Sequence, residues 1–390
     1  MMLQIGLWWT AGMSPEAIAR PTVETSLRPM TDTVMAVKEA APGMLDSAAP
    51  LTGRIAFYNV ENLFYPTRDT NIADEDYTPT GSRHWSWAKY ETKCNRIFKV
   101  IAALDAEIPL LCIGLAEVEN ARVLQQLCLG TPLRYDGYGF VHFDSPDRRG
   151  IDVALLYRAD RLEILHAKPL PVGQDGGADV FHTRDILSVQ ARVRASGDTL
   201  HLFVVHFPSK FGGALATDSR RRLAGRTLRQ AMDSIRSRHP QAYLLAMGDF
   251  NATADEAALS ESIGFVPASA IQPSEAAALP ADAPYIHLMA DFPPEAGSHK
   301  YREAWSLIDH IIVSRPLFQV CQPQIPTGQG GRRNAKGQTR PPRRAAIFDR
   351  DFLLTEDKTY FGLKPFRTFV GPVYHGGYSD HLPVYIDLKL

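Results

Sequence analysis

The stretch Leu244-Leu245-Ala246-Met247-Gly248-Asp249-Phe250-Asn251 passes from an unbroken apolar run to an acid and a carboxamide within eight residues. Such a run suits a strand buried on both faces, and Asp and Asn suit the turn that ends it. The same passage recurs along the chain. Asn59 and Glu61 follow Ile55-Ala56-Phe57, Glu117 and Glu119 follow the apolar residues 110–115, and His206 follows Leu202-Phe203-Val204-Val205. Asp309 and His310 interrupt the apolar run 307–313, and Asp380 and His381 directly precede the closing run 384–388. Singly, each has a plain structural reading. Asp249 and Asn251 form turns, His206 is a hydrogen-bonded surface or core histidine, and Glu117 begins a helix. Together these clusters hold more polar chemistry than a fold requires. Strand ends are also where layered domains present side chains to a cleft.

Strand patterns cover 54–60, 109–115, 152–157, 186–193, 200–205, 243–247, 308–313 and 384–388. A helical pattern covers 85–104, with Ile97, Val100, Ile101 and Leu104 on one face, and others lie near 119–128, 217–238 and 254–262. Strands outnumber helices and many are apolar on both faces, which predicts packed sheets covered by helices, an α/β or α+β layered domain. Segments 66–84, 267–306 and 322–350 are irregular. The last is rich in Gly and Pro and strongly basic, the profile of a functional or disordered loop.

With 390 residues, 45% hydrophobic and 22% charged, the chain has the make-up of a soluble globular protein with a sizeable core. No apolar run approaches the roughly 18 residues of a membrane span. The net charge of -1 names no partner. Cys94, Cys112, Cys128 and Cys321 form no C-x-x-C pair, which argues against a structural zinc site. Cys112 reads as a core residue, and a disulfide stays open. Residues 1–50 read as a leader and linker. An apolar stretch with Ala17-Ile18-Ala19 resembles a signal sequence, but no basic residue precedes Arg20. Export to the periplasm or medium is expected if this segment is a signal, and a cytoplasmic place otherwise. Residues 51–390 are expected to form one catalytic domain.

Carboxylate and amide oxygens suit a hard cation, magnesium or manganese, with calcium also admissible. Hydrolysis of a phosphate ester asks for such a set: charge on the phosphate offset, a water activated and a proton handled. Tyr58-Asn59-Val60-Glu61-Asn62, Leu115-Ala116-Glu117-Val118-Glu119-Asn120, Gly248-Asp249-Phe250-Asn251, Ile308-Asp309-His310 and Ser379-Asp380-His381-Leu382-Pro383 occur in that order. In this the chain resembles the endonuclease/exonuclease/phosphatase superfamily over about residues 54–390. The resemblance implies a four-layer sandwich of two mostly antiparallel sheets flanked by helices. It implies Glu117 as principal metal ligand, assisted by Asn59, Glu61 and Asp380. Asp249 would orient or deprotonate the attacking water and Asn251 would bind a phosphate oxygen. His381, oriented by Asp309, would contact the scissile phosphate or act in proton transfer, and His206 would assist at the leaving group, with the acid and base roles of the two left open. Arg184 resembles a phosphate-contacting arginine, Arg367 is a further substrate-binding candidate, and Asp152 would orient one of the histidines. His310 is expected to be structural.

Two basic segments bear on the substrate. Residues 218–238 carry seven arginines against two aspartates, and 331–350 carry seven basic residues against one acid. Each is either a polyanion footprint or a solvated face or loop. The expected activity is hydrolysis of a phosphodiester by in-line attack of water, endonuclease-like, by a monomer. The alternatives are a phosphatase or phosphodiesterase acting on an inositol phosphate, sugar phosphate or phospholipid head group, and a silent polyanion-binding module. A serine hydrolase is excluded, since Ser379, Asp380 and His381 are contiguous and no G-x-S-x-G occurs.

Overall fold

Alternation within apolar strands builds the architecture. In the strand Thr52–Leu63, Ile55 and Phe57 point to one side, while Ala56 and Tyr58 point to the other, and all four are fully buried. A strand of this kind needs apolar neighbours on both faces. The structure, a computed structural model, describes residues 33–35, 52–173, 182–271, 279–293, 295–324 and 343–390. The expected leader, apart from 33–35, and the basic loop segment 331–342 lie outside them.

The strands of two large sheets are, in chain order, β1 (Thr33–Met35), β2 (Thr52–Leu63), β3 (Leu110–Val118), β4 (Tyr138–His142), β5 (Asp152–Arg158), β6 (Leu162–Leu170), β7 (Ile186–Val193), β8 (Thr199–His206), β9 (Tyr243–Asp249), β10 (Phe265–Pro267), β11 (Tyr285–His287), β12 (Asp309–Val313), β13 (Ala346–Ile347) and β14 (Val384–Lys389). The first sheet runs β1-β4-β5-β3-β2-β14-β13 and the second β10-β11-β12-β9-β8-β7-β6. Only β2–β3, β8–β9 and β10–β11 pair in parallel. Helix α1 (Trp87–Asp105) connects β2 to β3, and α3 (Asp218–Arg238) connects β8 to β9. Between them in sequence, α2 (Ala121–Gly130) starts on Asn120, whose side chain accepts from the Arg122 and Val123 amides. The Asn of Glu-Val-Glu-Asn is therefore a helix cap.

Three apolar layers separate four layers of structure. Ile55, Phe57 and Leu111 meet Val204, Leu245 and Met247 between the sheets. Tyr58, Ile97 and Leu124 fill the space under α1 and α2, and Phe203, Ala246, Leu228 and Met232 fill it under α3. The expected four-layer sandwich is the observed fold. All four cysteines are buried free thiols, and Cys112 lies between the sheets as expected. Within the stretch read as linker, Thr33–Met35 adds an edge strand to β4, since an unpaired edge offers backbone groups to any nearby segment. Among the described residues no helix is long and apolar enough to cross a membrane.

Candidate active site

Parallel pairing sets the ends of β2 and β3 side by side, and likewise those of β8 and β9. Antiparallel β12 then begins where β9 ends, with Asp309 opposite Asp249, and Asp249 opposite His206. Antiparallel β14 likewise begins beside the end of β2, so Asp380 and His381 arrive at the same edge. The sheet ladders are irregular there, between Asn59 and Leu63 and between Ala116 and Val118. Glu61, Asn62, Glu117 and Asn251 all adopt positive φ, between 48° and 65°. For residues with a Cβ such backbone costs about 1–3 kcal/mol, and it persists where surrounding structure imposes it, typically at functional sites.

Asn59 joins the two sheets. Its Nδ2 donates to Glu117 Oε1 at 3.2 Å and to Asp249 Oδ2 at 3.1 Å. The Asn62 amide donates to Glu117 Oε2 at 2.9 Å, and the Asn251 amide to Asp249 Oδ1 at 2.8 Å. Ser379 Oγ donates to the Asn59 carbonyl at 2.7 Å and accepts from the His381 amide at 3.0 Å. Asn251 Nδ2 donates to the Phe207 carbonyl at 3.0 Å.

Two histidines face Asp249 Oδ2: His206 Nε2 at 3.6 Å and His381 Nε2 at 3.8 Å. Their surroundings shift them in opposite directions. Burial favours neutral imidazole at both. At His206, Arg184, Arg149 and His381 add to burial and hold its pKa well below the usual value. At His381, Asp309 lies 2.7 Å from Nδ1, and with Asp249 and Asp380 it overcomes burial and raises the pKa well above the usual value. Asp249 is itself pushed up to about 7, chiefly by burial, with His381 pulling the other way.

On the other flank, Arg367 Nη2 donates to Asp380 at 2.8 Å and its Nε lies 3.6 Å from Glu61. Glu61 also accepts from the Thr368 amide at 2.7 Å. Burial acts against the Asp380 charge, but His381 and Arg367 hold its pKa down to about 2. Glu117 and Asp380 offer carboxylate oxygens that suit a hard divalent ion, while Asn59 Oδ1 accepts from the Glu61 amide at 3.0 Å and its Nδ2 positions the Glu117 carboxylate. Glu61 fits less directly, as its carboxylate already ties the 367–368 segment to β2.

Other expected residues sit differently. Arg184 is buried, with Nη1 2.9 Å from Asp147, while Nε and Nη2 donate to the His206 and Phe207 carbonyls. It braces the backbone of His206 from behind. Asp152 faces His142 at 3.7 Å, neither of the site histidines. His310 is buried, bonded through Nε2 to the Ala252 carbonyl at 2.9 Å and packed on Phe250, a structural residue as expected. Sequence reading missed His299, whose ring lies 4.9 Å from that of His381 and whose ligand atoms converge with those of Asp380 and His381. It missed Lys93 as well, buried in α1 and donating to the Tyr378 carbonyl at 2.6 Å. Lys93 falls four residues before Ile97, on the apolar face of the helical pattern, a signal that its stem enters the core.

No curated protein matches the chain by sequence. Among solved structures, a mannosyl-6-phosphatase of Bacteroides thetaiotaomicron is 14% identical, with 87% of this chain and 100% of that one covered and a TM-score of 0.50. An endonuclease/exonuclease/phosphatase family protein from the same species is also 14% identical, with 87% and 98% covered and a TM-score of 0.50. The sulfate-bound catalytic domain of human Nocturnin is 16% identical, with 87% and 93% covered and a TM-score of 0.47. At 14% identity the likeness to the two Bacteroides proteins speaks to fold alone. The model of the Endonuclease/Exonuclease/phosphatase family matches residues 54–390. The chain thus belongs to that family, whose members are metal-dependent hydrolases of phosphate esters.

Proposed function

We propose that this enzyme hydrolyses phosphodiesters by in-line attack of water. The observation that carries the reading is the placing of His206 and His381 on either side of Asp249, at 3.6 and 3.8 Å, with burial holding the pKa of the first down and Asp309 holding that of the second up. A diester has two needs besides the nucleophile: its phosphoryl charge must be met, and its departing alkoxide needs a proton. In this reading His381, kept cationic by Asp309, meets the phosphoryl oxygens. Asp249 accepts a proton from the attacking water, with Asn59 and the Asn251 amide fixing its carboxylate. The second N–H of the Asn251 carboxamide binds a non-bridging oxygen. His206, neutral, donates a hydrogen bond to the departing oxygen, which takes its proton from solvent, and Arg184 braces the His206 backbone. Glu117 and Asp380 would hold magnesium or manganese, and a bound divalent ion supplies charge against the phosphate and polarises its oxygens. Arg367 reaches the substrate from beside Asp380.

Nucleic acid is the first substrate class to test, by a monomeric and exported enzyme. A second reading, a small phosphorylated sugar or lipid head group, is favoured by the state of α3. There Arg222 pairs with Asp218, and Arg229 and Arg236 pair with Asp233, which leaves a weaker polyanion footprint than the sequence implied. A panel of DNA, RNA, inositol phosphates, sphingomyelin and aryl phosphates separates the two. Turnover of DNA or RNA above all others is expected; turnover confined to monoesters overturns the diester assignment. Asp249→Asn should lose about 10²–10⁴ in kcat while staying folded by circular dichroism, and a wild-type rate would remove Asp249 from water activation.

A further inference from the structure

A second polar cluster lies on the β4–β5 hairpin and takes no part in the reaction above. His142 ends β4 and Asp152 opens β5, so the connection 143–151 turns the two side chains towards each other. His142 Nε2 lies 3.7 Å from Asp152 Oδ2, and Nδ1 lies 3.8 Å from Asp144 Oδ1. Both distances exceed those of a hydrogen bond. The histidine is only 2% exposed, and its Nε2 has no hydrogen-bond partner. Leaving a buried polar atom so costs about 1–3 kcal/mol unless a further group satisfies it.

The acids around it are also uncompensated. Ser145 Oγ donates to Asp152 Oδ1, which leaves Oδ2 as the oxygen facing the imidazole. Asp185, just before β7, has a buried Oδ1 without a partner. The leading influences on Asp152 are burial, His142, Ser145 and Asp144, with no lysine or arginine among them. Buried carboxylates persist when paired or bound to a metal.

We propose that His142, Asp144 and Asp152 form a second divalent-metal site for an ion that accepts nitrogen as well as oxygen, Zn2+ or Mn2+. Their ligand atoms all lie within 4.8 Å of one another, so the exposed Asp144 side chain needs to close in by only a few tenths of an ångström for bonds of about 2.0–2.2 Å to reach all three. The imidazole turns selectivity away from calcium and magnesium. Asp144 is exposed and gives the ion a path of entry. Its effect would be on position, not chemistry. The hairpin connection carries Asp147, which holds Arg184 at 2.9 Å, and Arg184 donates to the His206 carbonyl at 3.1 Å. An ion clamping residues 142–152 would stiffen the support of His206.

Equilibrium dialysis of the metal-stripped full chain against Zn2+, with bound metal counted by mass spectrometry, tests this. The wild type should bind an ion that Glu117→Gln retains, whereas His142→Gln and Asp144→Asn should each weaken it about tenfold or more. Unchanged binding in Asp144→Asn overturns the proposal. So does a wild type whose bound metal is all lost in Glu117→Gln. Asp144 is exposed, so that variant decides the matter even if His142→Gln fails to fold.

Discussion

Asp309 does its work through another residue. Its carboxylate is buried, touches His381 Nδ1 at 2.7 Å, and keeps a charge on an imidazole that burial alone would neutralise. Asp309→Asn should therefore lower the pKa of His381 and move the alkaline limb of the kcat/KM profile to lower pH, with kcat falling about 10²–10⁴. An unmoved limb would show that the charge on His381 is not what the reaction uses. Several residue identities were legible because the chemistry is local: an acid two positions before a carboxamide at a strand end needs no distant partner to be noticed. The partners of Arg184 and Asp152 were not legible, for the opposite reason. What each does depends on Asp147 and the His206 carbonyl, or on His142, and those meetings are made by pairing of strands. His299 had no local signal, since it reaches His381 from the short hairpin strand His299–Tyr301, within a stretch whose sequence shows no strand pattern.

At the scale of elements, the strand ends explain the glycine of Gly-Asp-Phe-Asn. A Cβ on Gly248 would fall 2.1 Å from the Val205 carbonyl oxygen, in the backbone of the adjoining strand. Gly248→Ala should push β9 off β8 at the register that aligns Asp249 with His206. The expected cost is about 1–3 kcal/mol in denaturant unfolding, with a larger fractional loss of activity than of folded protein; an equal loss would mean that register does not matter to catalysis. Long apolar runs were read well because both faces of these strands are buried. The half-exposed edge strand β6, containing Lys168 and Pro169, and the glycine-containing β4 were not, since their pairing and not their composition makes them strands. The pattern at 254–262 yields only a short helix, Ala257–Ser260, which ends before the turn into β10.

For the whole molecule, burying neutral histidines makes stability depend on acid. His310 and His287 are fully buried; burial holds His310 at about 4 and His287 well below its usual value. A depressed pKa contributes stability above the unfolded value near 6.5, and that contribution is lost as pH falls through the folded value. For His310 alone the loss is on the order of 3 kcal/mol between pH 7 and 4. Urea unfolding at pH 7.5 and 4.5 should show it, and His310→Phe should lose less on acidification than the wild type; an equal loss would sink the account. Chelation makes a second prediction at this scale. Hydrolysis should stop in chelator and return with magnesium or manganese, and undiminished activity in chelator would refute the metal requirement.

Sequence alone determined the layered α/β class, the strands with two apolar faces, and the acids, amides and histidines at their ends, because hydrophobic period and turn chemistry are local properties. Tertiary structure alone decided which of those ends share one edge, that Asn59 bridges Glu117 and Asp249, and that the pKa of His206 is held down while that of His381 is raised. Charge state depends on burial and on neighbours distant in sequence, as His381 and Asp309 show across 72 positions. No local pattern holds that information.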